Sequence, residues 1–450
     1  MLDFDLLRLR LLGCVVSEGD PNYDDARSVW NAVVDRRPAA IVRCASTADV
    51  LEALRFATAS NRKVTVRGGG HSVEGRPIQH DALVIDLSGM RTVHVDAARR
   101  RAIVAGGATW RDVDTAAGAF WLGTTGGMVS TTGVGGLTLG GGIGWLMRKF
   151  GLAADNVLAA EVALANGELL NVDEHHHQDL FEAIQGGTSI PGVVTAFTFR
   201  LHTVGTVLAG ELWFPVEQAG NLLRTLRPLL ADAPDELTVM VSAMATPTVP
   251  SLPAAMHGKP AIALGVCWCG DLEAGASNLA DIRALKGAFA DHIAARSYVG
   301  FQSSLDATAP HGMRHSWRTL SMRTLEDPVV DLFARRAMDL PTSLSLVHIH
   351  QLGGKVARGR SEPPSAVLRD HEFILKIVGT SAFPQDDARV NAWVHEFATE
   401  LEPYAGPQTY VNFEGRVEHA LDATTSGAIQ ARLASLRARY DPAGVFLWPR

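Results

Sequence analysis

Val64 to Ser72 reads VTVRGGGHS, a short apolar strand that runs into three glycines and then a histidine. Glycine lacks a Cβ, so three in succession let the backbone fold tightly and bring its N–H groups close to the phosphates of a ligand. A histidine delivered from such a turn, His71, is held beside that ligand. Arg67, Gly68, Gly69, Gly70 and Ser72 complete this first candidate segment. Downstream, Gly133 to Gly144 reads GVGGLTLGGGIG and offers Gly133, Gly135, Gly136, Gly140, Gly142 and Gly144 as a second one. Together the two segments predict the two sides of one bound nucleotide cofactor. A Walker P-loop would need a lysine where His71 stands. A Rossmann fingerprint opens a helix directly after a strand with GxGxxG, and GVGGLTLGGG departs from that spacing. A structural glycine turn with a capping histidine is the alternative that the residues themselves leave open.

Other reactive side chains are scattered. His348 and His350 alternate in LVHIHQLGG, which on a strand points both imidazoles one way, towards a site or towards solvent. No third ligand accompanies them, so no metal is expected. His175 to His177 sit together in DEHHHQD, where adjacent residues diverge, and are predicted to form a solvated loop. Cys14, Cys44, Cys267 and Cys269 are too dispersed for a disulfide framework, and the last pair is predicted to be buried strand residues. Asp112 and Asp114 read as acids at a helix start.

The elements that must position these residues follow from composition and periodicity. The chain has 450 residues, 47% of them hydrophobic, enough for two or three domains with substantial cores. A net charge of -7 without a basic run argues against nucleic acid or an anionic membrane as partner. The N-terminal MLDFDLLRLRLLG is too charged for a signal peptide, and no apolar run reaches the roughly 18 residues of a membrane span, so a soluble cytoplasmic protein is expected. Oligomeric state is left open. A capped helix is predicted over Ser46 to Ala57. Strands are predicted at Val64 to Val66, Leu83 to Leu87, Arg101 to Ala105, Glu161 to Ala165, Leu169 to Val172 and Val193 to Leu201. These make an α+β nucleotide domain. After about His202 the texture changes: residues 206–405 have fewer glycines, and proline-rich breaks (Thr246 to Pro253, Pro363-Pro364) and helices separated by apolar strands such as Ala261 to Trp268 suggest a second domain. A closing helix over Ala428 to Tyr440 carries Ile429, Leu433, Leu436 and Tyr440 on one face.

Five blocks in order along nearly the whole chain carry a family resemblance: RGGGHS (Arg67 to Ser72), VSTTGVGGLTLGGGIGWLMRKFGLAADN (Val129 to Asn156), GVVTAFTFRLH (Gly192 to His202), YVN (Tyr410 to Asn412) and YDPAGVF (Tyr440 to Phe446). The chain resembles the berberine bridge enzyme-like FAD-linked oxidases, within the vanillyl-alcohol oxidase or PCMH-type flavoproteins. The resemblance implies an α+β fold. A PCMH-type FAD-binding domain of two α+β subdomains would span residues 1–205 plus a C-terminal return over 406–450. A substrate domain over 206–405 would carry an antiparallel sheet flanked by helices. It further implies FAD joined covalently to His71 through the flavin 8α-methyl, with Val129, Ser130, Thr131, Thr132, Asn156, Gly192, Val194, Tyr410 and Asn412 among the cofactor contacts.

Several positions depart from the family pattern. Val129 stands where many relatives carry the cysteine of a second covalent link. Thr132 occupies the gatekeeper position, where a residue of valine's size admits oxygen. QGGTSIPG (Gln185 to Gly192) replaces RGGGGNFG, and Leu447-Trp448-Pro449-Arg450 replaces an Asn-rich ending. The implied chemistry is hydride transfer from a substrate carbon to flavin N5, with a base taking the neighbouring proton. Tyr410 is the expected base or substrate anchor, Asn412 shares its face, and Arg318 in Trp317-Arg318-Thr319 is the expected charged partner. The substrate is expected to be a small hydroxylated, phenolic or amine-containing molecule, with molecular oxygen reduced to hydrogen peroxide. The rivals are a dehydrogenase or oxygenating flavoenzyme of the same fold, or a non-catalytic flavin or small-molecule carrier.

Overall fold

The computed structural model describes residues 4–186, 190–359, 369–415 and 427–447. The first sheet holds β1 (Cys14–Ser17), β2 (Ala40–Arg43), β3 (Val64–Arg67) and β4 (Leu83–Asp86), in the order β1-β2-β4-β3. β1 is antiparallel to β2, whereas β2 and β3 both run parallel to β4. The crossover between β2 and β3 is the helix Thr47–Ala59, begun by Ser46, whose hydroxyl accepts the N–H of Asp49. Its buried Val50, Ala53, Leu54 and Ala57 follow helical spacing and pack on Val42, Val64, Leu83 and Ile85. Parallel pairing brings the C-terminal ends of β3 and β4 to one edge, and there the glycine turn leaves the sheet. The end of the chain returns to that strand: Val64 N–H donates to the Val445 carbonyl, and Leu447 N–H to that of Val64.

A second, wholly antiparallel sheet contains β5 (Val93–Asp96), β6 (Arg101–Ala105) and, after the short β7 (Leu122–Gly123), β8 (Val157–Ala163), β9 (Leu169–Asp173) and β10 (Val193–Arg200). Its order is β5-β6-β10-β8-β9. Helix Trp110–Gly118 and the closing helix Gly427–Tyr440 share its core, the latter through Leu436 and Tyr440. Leu433, expected on the same face, is half-buried.

β11 (His202–Thr203) pairs with β7 and leads into the third sheet. That sheet is formed by β12 (Thr206–Pro215), β13 (Leu237–Ala245), β14 (Pro260–Trp268), β15 (Ala290–Asp291), β16 (Ala294–Ser297), β17 (Arg314–Met322), β18 (Leu346–Gln351) and β19 (Phe373–Ser381). Strand order is β15-β12-β14-β13-β18-β19-β17, with β16 also beside β12 and every pairing antiparallel. One face is apolar, with Val239, Val241, Leu264, Val347, Ile349, Leu375 and Ile377 packed under helices Ala219–Ala231, Asp327–Ala337 and Asp387–Leu401. Period-two alternation therefore turns the intervening residues of β13, β18, β19 and β17 to the opposite face, towards the two smaller sheets.

Two local expectations are corrected. Asp112 does cap helix Trp110–Gly118, in a reciprocal box with Thr109, but Asp114 lies two residues further in, past the first turn, and is buried. Cys267 is a buried strand residue, whereas Cys269 follows the end of β14 and is half-buried. His175 to His177 are exposed, as expected. Among the described residues no group of three His, Cys, Asp or Glu side chains is placed to hold a metal, and no helix is long and apolar enough to cross a membrane.

Candidate active site

A cavity of about 780 Å³ lies between the glycine segments and the exposed face of the third sheet. Its first wall begins where β3 ends. Arg67 is buried, forms a 2.5 Å ion pair with Asp86 of the neighbouring strand, and donates to the carbonyls of Ala26 and Ser28. A buried guanidinium held by a carboxylate and two carbonyls is a rigid peg, and it fixes the start of the Gly68–Ser72 turn that lines the cavity. Gly70 has φ +70, a conformation that side chains rarely adopt. A Cβ added to Gly69 would run into the backbone of Gly133, and one on Gly133 into Gly69. The two glycine segments thus meet backbone to backbone.

His71 stands at the end of this turn. Its Nε2 lies 3.1 Å from the Thr131 hydroxyl, and its ring stacks on Trp30 with centroids 5.4 Å apart. Burial pushes its pKa down to about 4, so the imidazole is neutral. Trp30 also stacks on His315 at 3.8 Å. The neighbouring Asn31 donates to the carbonyls of Val73 and His315 and accepts the N–H of His315, tying the glycine turn to β17.

Gly133, Gly135, Gly136 and Gly140 line the cavity beside Val129 and Thr132, and Gly192 and Val194 reach it from β10 and the loop before it. Tyr410 and Asn412 close this wall. The Tyr410 oxygen accepts the N–H groups of Gly142 and Ile143 at 3.0 and 3.1 Å, and the Asn412 amide at 3.0 Å. Asn412 also donates to the Leu137 carbonyl at 2.9 Å. Burial outweighs these donors and pushes the phenol up to about 12.

The facing wall is the sheet surface that alternation leaves free. Cross-strand register places His315 opposite Thr380, Trp317 opposite Val378, and Lys376 between Thr319 and His348, with His350 opposite Met240 and Ile374. His348 Nδ1 is 2.7 Å from the Ser242 hydroxyl, and His315 Nδ1 is 3.0 Å from that of Thr380. Both ring nitrogens of His350 are buried without a partner among the described residues. Burial, reinforced by Lys376, holds His315 and His350 at about 3 and His348 well below its usual value. All three are neutral near pH 7.

The remaining predicted residues lie behind the lining. Besides Arg67 and Thr131, Ser130 donates from N and Oγ to Asp306, and Gly144 packs on the backbone of Gly126. Gly142 holds Tyr410, while Asn156 donates to the carbonyls of Phe150 and Leu152 and contacts His202 at 2.7 Å. Arg318 does not line the cavity. It pairs in register with Ile377, on the parity opposite to His315 and Trp317, and reaches Glu414 at 3.3 Å. The cation that the third sheet turns to the cavity is Lys376, which the sequence reading passed over, as it did Trp30 and His315. The available signal was a single lysine inside an otherwise apolar strand, FILKIVGTS. Of the altered Gln185 to Gly192 loop, Ile190 and Gly192 line the cavity and residues 187–189 lie outside the described residues. Leu447 also lines it, and residues 448–450 lie outside the described residues.

The site fits a flavin dinucleotide on its own terms. Touching glycine backbones give a concave wall that bare N–H groups can present to phosphates, and the volume is within the roughly 300–1,000 Å³ of cofactor and ligand pockets. A family model described as FAD binding domain matches residues 38–173, which include both the first glycine segment and the second. A FAD-linked oxidoreductase of Dictyostelium discoideum is 28% identical over 444 residues, 96% of this chain and 93% of that protein. (R)-6-hydroxynicotine oxidase of Paenarthrobacter nicotinovorans is 32% identical over 295 residues, covering 64% of this chain and 62% of its own length. The solved structure of BBE-like 1 from Physcomitrella patens shares the fold, with a TM-score of 0.86 over 99% of this chain and 98% of that one at 19% identity. With the five sequence blocks folded around one glycine-walled cavity and a FAD-linked relative alignable almost end to end, the chain carries a FAD binding domain, is similar along nearly its whole length to FAD-linked oxidoreductases, and is a FAD-dependent oxidoreductase of PCMH-type fold.

Proposed function

We propose that the protein is an oxidase whose flavin is tethered to His71 and which takes two electrons from a small hydroxylated, phenolic or amine-containing molecule, passing them to oxygen to give hydrogen peroxide. The observation that carries this reading is one cavity with two unlike walls, glycine backbone on one side and polar sheet face on the other, with His71 at their junction. FAD bound there supplies a ring that accepts a hydride and returns electrons to oxygen. Gly68 to Ser72 and Gly133 to Gly140 would hold it. His71 suits a covalent bond because it is neutral, and because Thr131 occupies Nε2 while Nδ1 has no partner among the described residues. Val129 offers no thiol for a second tether. Thr132, similar in size to valine, leaves room for oxygen at the cavity wall.

Tyr410 and Asn412 act as positioning residues that brace Gly142 and Ile143. A phenol held near 12 keeps its proton at neutral pH, so the groups able to receive the substrate's proton lie on the sheet wall. Acid precipitation of the purified protein tests the tether: flavin fluorescence should stay with the washed polypeptide, and complete release refutes the bond to His71. Anaerobic mixing with a metabolite panel should bleach the flavin, and readmitted oxygen should restore the colour with stoichiometric peroxide. A flavin that stays bleached under oxygen and recolours only with another electron acceptor would turn the reading to a dehydrogenase, and recolouring without peroxide would turn it to an oxygenating enzyme.

A further inference from the structure

Lys376 is the least expected group in the cavity. It sits in the middle of β19, only 9% exposed, yet no carboxylate or hydrogen-bond acceptor among the described residues meets its ammonium. Instead Nζ lies 3.7 Å from the ring centroid of Trp317 and 4.2 Å from that of Phe413. Two aromatic faces soften the cost of burying a cation but do not neutralise it. The flanking polar atoms are equally unpaired: both nitrogens of His350, Nε2 of His315 and Nε1 of Trp317 are buried without partners among the described residues. Glu414, the single carboxylate of the lining among the described residues, is engaged by Arg318 and by the Gly415 N–H. Around these groups the surface is apolar, with Met240, Leu346 and Val378.

Resting on the oxidoreductase reading above and narrowing its substrate class, we infer that Lys376 and the unpaired donors beside it receive an anionic oxygen, so that the substrate is a small apolar molecule bearing a carboxylate or an acidic hydroxyl. The charge balance sets the sign. A buried, uncompensated cation gains most from an oxyanion, which can also accept from His350, His315 and the Trp317 indole. An ammonium guest would add a second positive charge where the described residues offer no free carboxylate to offset it. Burial lowers the Lys376 pKa to about 7, so an acidic hydroxyl that enters protonated can give its proton to the neutral amine and reach the same ion pair.

The test uses the oxidised holoenzyme and binding alone, followed by calorimetry and by the perturbation of the flavin absorption bands. Benzoate, benzamide and benzylamine share a ring and differ in charge. Benzoate should bind about tenfold or more tighter than benzamide, and benzylamine should be the weakest. Lys376→Met should remove the preference for benzoate while retaining flavin, because deleting an unpaired buried cation does not threaten the fold. The inference is overturned if benzamide or benzylamine matches benzoate, if Lys376→Met leaves benzoate binding unchanged, or if benzoate fails to bind at about 10 mM. The comparison of the three probes on the wild-type protein stands without any variant. A yellow protein that some metabolite bleaches but that ignores benzoate would keep the oxidoreductase reading and lose this one.

Discussion

Replacing Lys376 by methionine should change how stability depends on pH, and the structure sets both the sign and the size. The ordinary amine titrates at 10.5, and burial pushes this one down to about 7. Below about 7 the lysine is charged in the folded and unfolded chain alike, and the desolvation penalty is fully present. Between about 7 and 10.5 the unfolded chain still holds the proton that the folded one has released, so raising pH favours the folded state. The gap corresponds to about 5 kcal/mol, relieved at about 1.4 kcal/mol per pH unit. The groups that face Lys376 do not confuse the window. His348 and His350 on β18 and His315 on β17 are held neutral well below it, Tyr410 is held above it, and Glu414 is already paired with Arg318.

Lys376→Met deletes this titration and leaves every other one in place. Urea denaturation of wild-type and variant holoprotein should show the variant's advantage shrinking by about 2 kcal/mol between about pH 7, where the folded amine is half protonated, and about pH 9. A difference that is constant over this interval would mean that Lys376 is solvated or ion-paired, and the physical basis of the anion site would fall with it.

Two glycines separate fold from cofactor. Gly69→Ala drives a Cβ into the backbone of Gly133, so a loss of about 1–3 kcal/mol in stability and of bound flavin is expected together, read by thermal melting and by the ratio of visible to ultraviolet absorbance. Gly136→Ala, whose Cβ meets no protein atom within 4 Å but enters the cavity wall, should keep the melting temperature and lose flavin; full flavin content would move the cofactor away from that wall. Tyr410→Phe removes the acceptor for Gly142, Ile143 and Asn412 and should cost about 2 kcal/mol or more, with turnover reduced and its pH profile unmoved. Loss of an alkaline limb in that profile would instead identify Tyr410 as the base.

Much of the cofactor side was legible in the sequence because it depends on local rules. Three glycines after an apolar strand specify a tight turn at a strand end, and Ser46 with the apolar spacing of Val50, Ala53, Leu54 and Ala57 specifies the helix that holds that strand. The order of the five blocks then implied the fold and FAD. The sheet side was only half legible. Alternation showed that His348 and His350 share a face, but whether that face meets the cavity depends on helices Ala219–Ala231, Asp327–Ala337 and Asp387–Leu401 covering the other one. Arg318 attracted attention as a cation beside Trp317, yet neighbours on a strand point to opposite faces, so the residue that adjoins the tryptophan in sequence is the one that cannot share its side of the sheet. Lys376 shares it through register with Thr319 and His348, and Trp30 joins His71 and His315 from a distant segment. Sequence by itself therefore determined the turn, the elements and the cofactor; the register of four antiparallel strands, which no local pattern encodes, decided which charge of the sheet faces the cavity.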